Sequence, residues 1–305
     1  MVPAYSLATI DEGAAPVPAI RIGDRLWRLA DEAPALLAPE PARGLMNLFA
    51  DWGRAAAALD VLAARLGDDA AAAARALDAQ AVRYLTPLRW PAKVMCTGTN
   101  YYDHLRAVGR TSFSKQDNCP AFFMKPPTTA LVGPGPVRHP AGSTQFDWEI
   151  ELAVIIGRTA RAVPVERALE HVAGYAVALD LSARDLQKNP RHFAKMDLCL
   201  GKAFDDACPL GPLVVPARFV GDPQRLRMRL WVDDAIEQDS GTEHMIWSVA
   251  EQIADLTRLI TLEPGDVLLT GTPAGTGIES GRYLSRGQRI DAEIEHLGRL
   301  SVHVV

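Results

Sequence analysis

F-D-W-E-I-E-L-A-V-I-I-G, residues 146–157, decides how the rest of the chain is read. Its aliphatic and β-branched run predicts a strand. Alternation along a strand puts Glu149 and Glu151 on one face and Trp148, Ile150 and Leu152 on the other. The acidic face continues as Ala153 and Ile155, so it is not an obvious solvent face. Two carboxylates in partly apolar surroundings repel each other and resist desolvation, and a bound cation relieves both problems. Spacing alone leaves a second reading open, a half-exposed strand with two solvated glutamates.

Residues 174–180 (G-Y-A-V-A-L-D) form a second short apolar strand ending in Asp180, and the following S-A-R-D-L-Q supplies Ser182, Arg184 and Gln187. An acid at a strand end followed by Arg and Gln is a common way to line a polar pocket. Three carboxylates without a paired His or Cys favour a hard octahedral ion, Mg²⁺ or Mn²⁺, over zinc.

Around these strands the chain divides. Residues 17–30 alternate about Gly23-Asp24, a small hairpin. Residues 45–83 are alanine-rich, with Leu59, Leu62, Leu66 and Leu77 at helical spacing and a break at Gly67-Asp68-Asp69. Nothing chemical stands out there, and a small N-terminal α/β domain over 1–92 is expected, joined at the proline-bearing stretch 84–93. From 93 to 305 the pattern is strand-rich. Hairpins are expected at 226–239, turning at Asp233-Asp234, and at 289–304, turning at H-L-G. One helix is expected from Pro164 to Gly174. Another starts at a capping box, Ser248 with Glu251, and runs to Pro264-Gly265. The fold class is α+β and β-rich, because strands and helices do not alternate regularly.

Composition narrows the function. The chain has 305 residues, 48% hydrophobic and 23% charged, and a formal charge of -5, which suits a globular protein and not a nucleic-acid binder. Its four cysteines show no C-x-x-C spacing and read as reduced thiols. Neither a signal peptide nor an apolar run long enough for a membrane span is evident, so the cytoplasm is the default compartment. The glycine-rich stretch L-L-T-G-T-P-A-G-T-G (268–277) is neither a Walker loop nor a dinucleotide fingerprint. It can still offer backbone N–H groups to a carboxylate. Of the seven histidines, His104 in T-G-T-N-Y-Y-D-H (97–104) is set apart at the start of a short helix, and the other six read as structural.

Taken together, G-T-N-Y-Y-D-H, F-M-K-P, D-W-E-I-E-L-A-V-I-I-G, D-L-S-A-R-D-L-Q, G-K-A-F-D-D-A-C-P-L-G-P, P-G-D-V-L-L-T-G-T-P-A-G-T-G and E-I-E-H-L-G resemble the fumarylacetoacetate hydrolase family in order and rough spacing over 94–305. The resemblance implies a mixed β-sandwich roll, a homodimer, and one Mg²⁺ or Mn²⁺ per subunit on Glu149, Glu151 and Asp180. It implies Lys202 as the cationic catalytic residue and His104 as the histidine of a mobile lid helix. Lys125, Arg184, Gln187 and Thr272 match positions that hold the carboxylate end of a small oxo-acid substrate. Family members hydrolyse acylpyruvates, decarboxylate β-keto acids or isomerise keto-diacids of aromatic breakdown. All three reactions develop negative charge on a 2-oxo oxygen, so the motif does not choose among them. Hydrolysis of an acylpyruvate is the leading expectation, with decarboxylation or keto–enol isomerisation next and a non-catalytic oxo-acid or metal binder third. One departure bears on that order. The lid of hydrolases in the family carries His-x-x-Glu, whereas here His104 is followed by Ala107, which cannot hold the ring. Asp117 in the next loop is the candidate replacement.

Overall fold

The computed structural model describes residues 2–305. Its centre is an eleven-stranded sheet in which Ile150–Ile156 lies between Val172–Leu179 and Val267–Leu269. The sheet continues through Leu213–Pro216 to the N-terminal strands Ser6–Asp11, Pro16–Ile22 and Arg25–Arg28. On its other side it runs through Val94–Gly98 to Ala121–Lys125, the first of these parallel to Val267–Leu269. A second sheet of five strands holds the hairpins Arg227–Val232/Ala235–Gly241 and Arg289–Ile294/Gly298–Val304. The mixed α+β, strand-rich architecture matches the expected fold class.

Every residue of Ile150–Ile156 is buried because both faces of the strand are covered. Ile150, Leu152 and Val154 share one core with Met228, Leu230 and Leu300 of the five-stranded sheet. Ala153 and Ile155 share another with Leu59, Leu62 and Leu66 of the helix Trp52–Asp68. A strand covered on both sides reads as a near-continuous apolar run, which is the pattern of 150–156. The alanine-rich segment therefore supplies the cover for the face that carries the two glutamates. It splits at Asp69, whose side chain caps the following helix Ala70–Arg75 by accepting from the Ala71 N–H.

Two boundaries differ from expectation. The segment after Pro164 is a 3-10 helix, Val165–His171, and Val172 already belongs to a strand. Gly174 does not end a helix. It lies where two strands touch, and a Cβ there would come within 2.4 Å of the Val215 carbonyl oxygen. The capping-box helix begins as expected, with both reciprocal bonds of Ser248 and Glu251 present, but ends at Thr257. There the Thr257 carbonyl accepts the Ala162 N–H at 2.8 Å, and the chain turns into a bridge between Ala160 and Leu262. Among the described residues no helix is long and apolar enough to cross a membrane.

The box gives a stability test. Removing an N-cap hydroxyl typically costs about 1 kcal/mol. Ser248→Ala is expected to lower the free energy of urea unfolding by that amount with an unchanged m-value, and an unchanged midpoint would show that the cap contributes nothing.

Candidate active site

The acidic residues sit where the central strand begins. Ile150 pairs with Leu179 and Glu151 with Ala178. Glu149 is therefore opposite Asp180, whose N–H donates to the Glu149 carbonyl at 2.9 Å. Glu149, Glu151 and Asp180 thus share a face, and each offers an oxygen within 4.8 Å of the others. All three are buried, so the solvated-glutamate alternative does not hold.

A basic shell surrounds them. The Lys202 Nζ donates to Glu149 Oε2 at 2.5 Å and to Asp180 Oδ2 at 2.6 Å. Arg184 donates through Nε to Asp147 Oδ2 at 2.8 Å and through its other arm to Glu149. Burial alone would push Glu149 up, but the Arg184 and Lys202 charges outweigh it and hold this carboxyl below the usual range. Glu151 is different. Its carboxylate takes a hydrogen bond from the Gly271 N–H at 2.7 Å and forms no ion pair among the described residues. Burial, then the neighbouring Asp180 and Glu149 charges, push it well above the usual range. Asp180 Oδ1 accepts no well-aligned hydrogen bond, although the Lys125 ammonium lies 2.7 Å away. The inner cluster therefore holds four carboxylates, with Asp147, against three cations. An under-compensated all-oxygen set of this kind fits a hard divalent ion.

Lys202 is placed by the short helix Leu198–Lys202, which lies so close to the helix Arg184–Gln187 that a Cβ on Gly201 would sit 2.3 Å from the Gln187 Cβ. Thr272 lies within the glycine-rich stretch, and its hydroxyl donates to the Ile150 carbonyl at 2.8 Å. With His104, Arg184, Gln187 and Lys202, Thr272 and the three acids line one cavity of about 370 Å³. Lys125, expected at the substrate's carboxylate, does not line it. Its side chain is fully buried behind Asp180, donating to the carbonyls of Ala207 at 2.9 Å, Leu181 at 3.3 Å and Lys202. Its geometry is that of a lysine positioning Asp180.

His104 has its acid, from an unexpected place. His104 lies in the helix Tyr102–Ala107, and its Nδ1 is 2.5 Å from Glu279 Oε1, 175 residues along the chain. Glu279 is itself held by the Gly275 N–H at 2.7 Å and the Thr276 hydroxyl at 3.0 Å. Burial opposes its charge, but the bonds from His104 and Gly275 prevail and keep it below the usual carboxylate range. Asp117 is exposed and outside the cavity wall, so it does not replace the absent lid glutamate. The local signal for Glu279 was Thr276 with an acid three residues later, the spacing of a capping box at the end of the glycine-rich loop. Two further residues had no local signal. Asp147 accepts from the Gly277 and Ile278 N–H groups at 2.6 and 3.0 Å, tying the Glu279 turn to Arg184. Gln238 accepts from the Ile150 N–H at 2.9 Å and donates to Thr272 at 3.0 Å.

Residues 93–305 match the family model for the fumarylacetoacetate (FAA) hydrolase C-terminal domain, and the chain belongs to that family. Among solved structures it is similar to the fumarylpyruvate hydrolase from Pseudomonas aeruginosa in complex with Mn²⁺ and pyruvate, at 40% identity and a TM-score of 0.63, covering 72% of this chain and 91% of that one. It is similar over nearly its whole length to the maleylpyruvate hydrolase from Sphingobium sp. SYK-6 in complex with manganese(II) and pyruvate, at 31% identity and a TM-score of 0.76, covering 98% of each chain. A curated relative, the human mitochondrial oxaloacetate tautomerase FAHD2B, is 38% identical over 229 residues, covering 73% of this chain and 70% of that one.

If the acids hold a cation, Mn²⁺ will raise the melting temperature, by roughly 2.7 kcal/mol of stabilisation at a hundredfold excess over its Kd. Glu151→Gln is expected to lose that gain while its metal-free form melts no lower than the metal-free wild type, because the carboxyl it replaces is buried without a cation and the amide oxygen can still accept from the Gly271 N–H. Scanning calorimetry with and without Mn²⁺ checks both, and an equal gain in the variant would mean that the ion binds elsewhere.

Proposed function

We propose that this protein is a divalent-metal-dependent hydrolase that cleaves a C–C bond in an acylpyruvate of the fumarylpyruvate or maleylpyruvate kind. The observation that carries this reading is the contact of Glu279 with His104, a residue that lines the cavity that also holds the three acids. Glu149, Glu151 and Asp180 would hold Mg²⁺ or Mn²⁺. Such an ion supplies Lewis-acid polarisation of a 2-oxo group and its carboxylate.

The side chains have the remaining tasks. A carboxylate on Nδ1 fixes the imidazole tautomer and leaves Nε2 as the base. His104 then takes a proton from water as the oxygen attacks the acyl carbon. Breaking the bond to the neighbouring methylene releases a carboxylate and leaves the electron pair on the pyruvate fragment as an enolate. The enolate carbon regains a proton to give pyruvate. Lys202, already at the acids, is the cation that stabilises the enolate charge more than the starting ketone. Arg184, Gln187 and Thr272 line the same wall and orient the oxo-acid head. The exposed apolar side chains Phe193, Met196, Leu198 and Leu200 beside this region support a homodimer.

A second reading is keto–enol tautomerisation of oxaloacetate, favoured by the identity to the human tautomerase. That reaction needs His104 for proton transfer but no water attack. Pyruvate release from fumarylpyruvate, set beside the decay of enol absorbance in oxaloacetate, separates the two. Hydrolysis predicts turnover of the first, and pyruvate-free proton exchange alone would favour tautomerisation. Glu279→Gln is expected to lower pyruvate release by about 10²-fold, the scale of a disabled general base, with Mn²⁺ affinity unchanged. Ala107→Glu, which would offer a second acid at the lid, is expected to change the rate less than about twofold because the position beside Nδ1 is already filled. A large gain would mean that Glu279 does not serve His104.

A further inference from the structure

The cations that line the cavity are not equivalent. Lys202 and Arg184 are buried and both bonded to buried carboxylates, whereas Arg110 is exposed. Arg110 lines the same cavity from the turn that ends the lid helix, where its N–H closes onto the Leu105 carbonyl at 2.9 Å. Among the described residues its guanidinium has no carboxylate within 4.0 Å. The wall nearby is apolar, with Phe113 packed edge-on against Trp247 at 5.9 Å between ring centres. A guanidinium free of protein partners beside an apolar wall has a fork of donors suited to one carboxylate.

We propose that Arg110 receives the distal carboxylate of the substrate, so that the cavity selects 2-oxo dicarboxylates over 2-oxo monocarboxylates. This rests on the reading above in one respect, that the 2-oxo acid head sits at the acid cluster, and it adds the chemistry of the other end. The apolar wall between the two ends takes the hydrocarbon middle. The lid turn thereby ties recognition of the distal group to the helix that carries His104.

The test is calorimetric titration of the Mn²⁺-loaded full chain with 2-oxoglutarate and 2-oxovalerate, which share the head and chain length and differ in the distal carboxylate. The wild type is expected to bind 2-oxoglutarate at least about tenfold more tightly, the scale of one charge-assisted pair. Arg110→Gln is expected to bring that preference below about threefold through loss of 2-oxoglutarate affinity, and Arg110→Lys to retain part of it, since lysine keeps the charge without the fork. No preference in the wild type, an unchanged preference in Arg110→Gln, or an equal loss for both ligands would overturn the assignment. Absence of pyruvate release from fumarylpyruvate with the binding preference intact would overturn the hydrolysis reading alone and leave Arg110 in its role.

Discussion

The structure depends on holding several carboxylates together out of water. An unpaired buried charge costs several kcal/mol, and this chain buries Asp147, Glu149, Glu151 and Asp180 side by side. Lys125, Arg184 and Lys202 offset most of that cost. The uncompensated cost falls on Glu151, which among the described residues has a backbone donor and no cation, so its carboxyl is held well above the usual range. A divalent ion there would favour the ionised form of Glu151 and leave the inner cluster with a net positive charge. That is the electrostatic setting that the proposed carboxylate-bearing oxo acid would need, and it would connect metal occupancy to substrate affinity without a moving part.

Much of the surrounding architecture keeps these charges apart by fixed amounts. The central strand is covered on both faces, so a one-residue slip would turn its two glutamates toward the apolar core that holds Met228 and Leu230. Gly201 lets the lysine helix approach the arginine helix, and Gly271, at φ +93°, aims its N–H at Glu151 while leaving no room for a Cβ beside Asn100. Asp147 joins Arg184 to the turn that carries Glu279, and Gln238 bridges the start of the central strand at Ile150 to Thr272. The N-terminal helices contribute through packing. Their leucines cover the strand face that ends in the two glutamates.

The legible part of this design is local. The i, i+2 glutamates announced a shared strand face, the strand-end aspartate announced a third acid, and the hairpin turns at Gly23-Asp24 and Asp233-Asp234 lie where the sequence predicts them. The illegible part is long-range. Glu279 meets His104 across 175 residues, and no periodicity near His104 marks that partner. Lys125 illustrates the opposite failure. Its motif marks a position beside the site, but the direction of its side chain depends on three carbonyls from distant segments. Gln238 sits in an ordinary hairpin strand, and only the burial of its amide reveals that it braces the site.

The central claim is that the three acids form a single divalent-cation site. The most direct measurement is anomalous diffraction at the manganese edge from crystals grown with Mn²⁺. The account predicts one strong peak per chain, at coordination distance from carboxylate oxygens of Glu149, Glu151 and Asp180 together. A cluster without a peak, or a peak bound by other residues while Lys202 alone bridges Glu149 and Asp180, would contradict it.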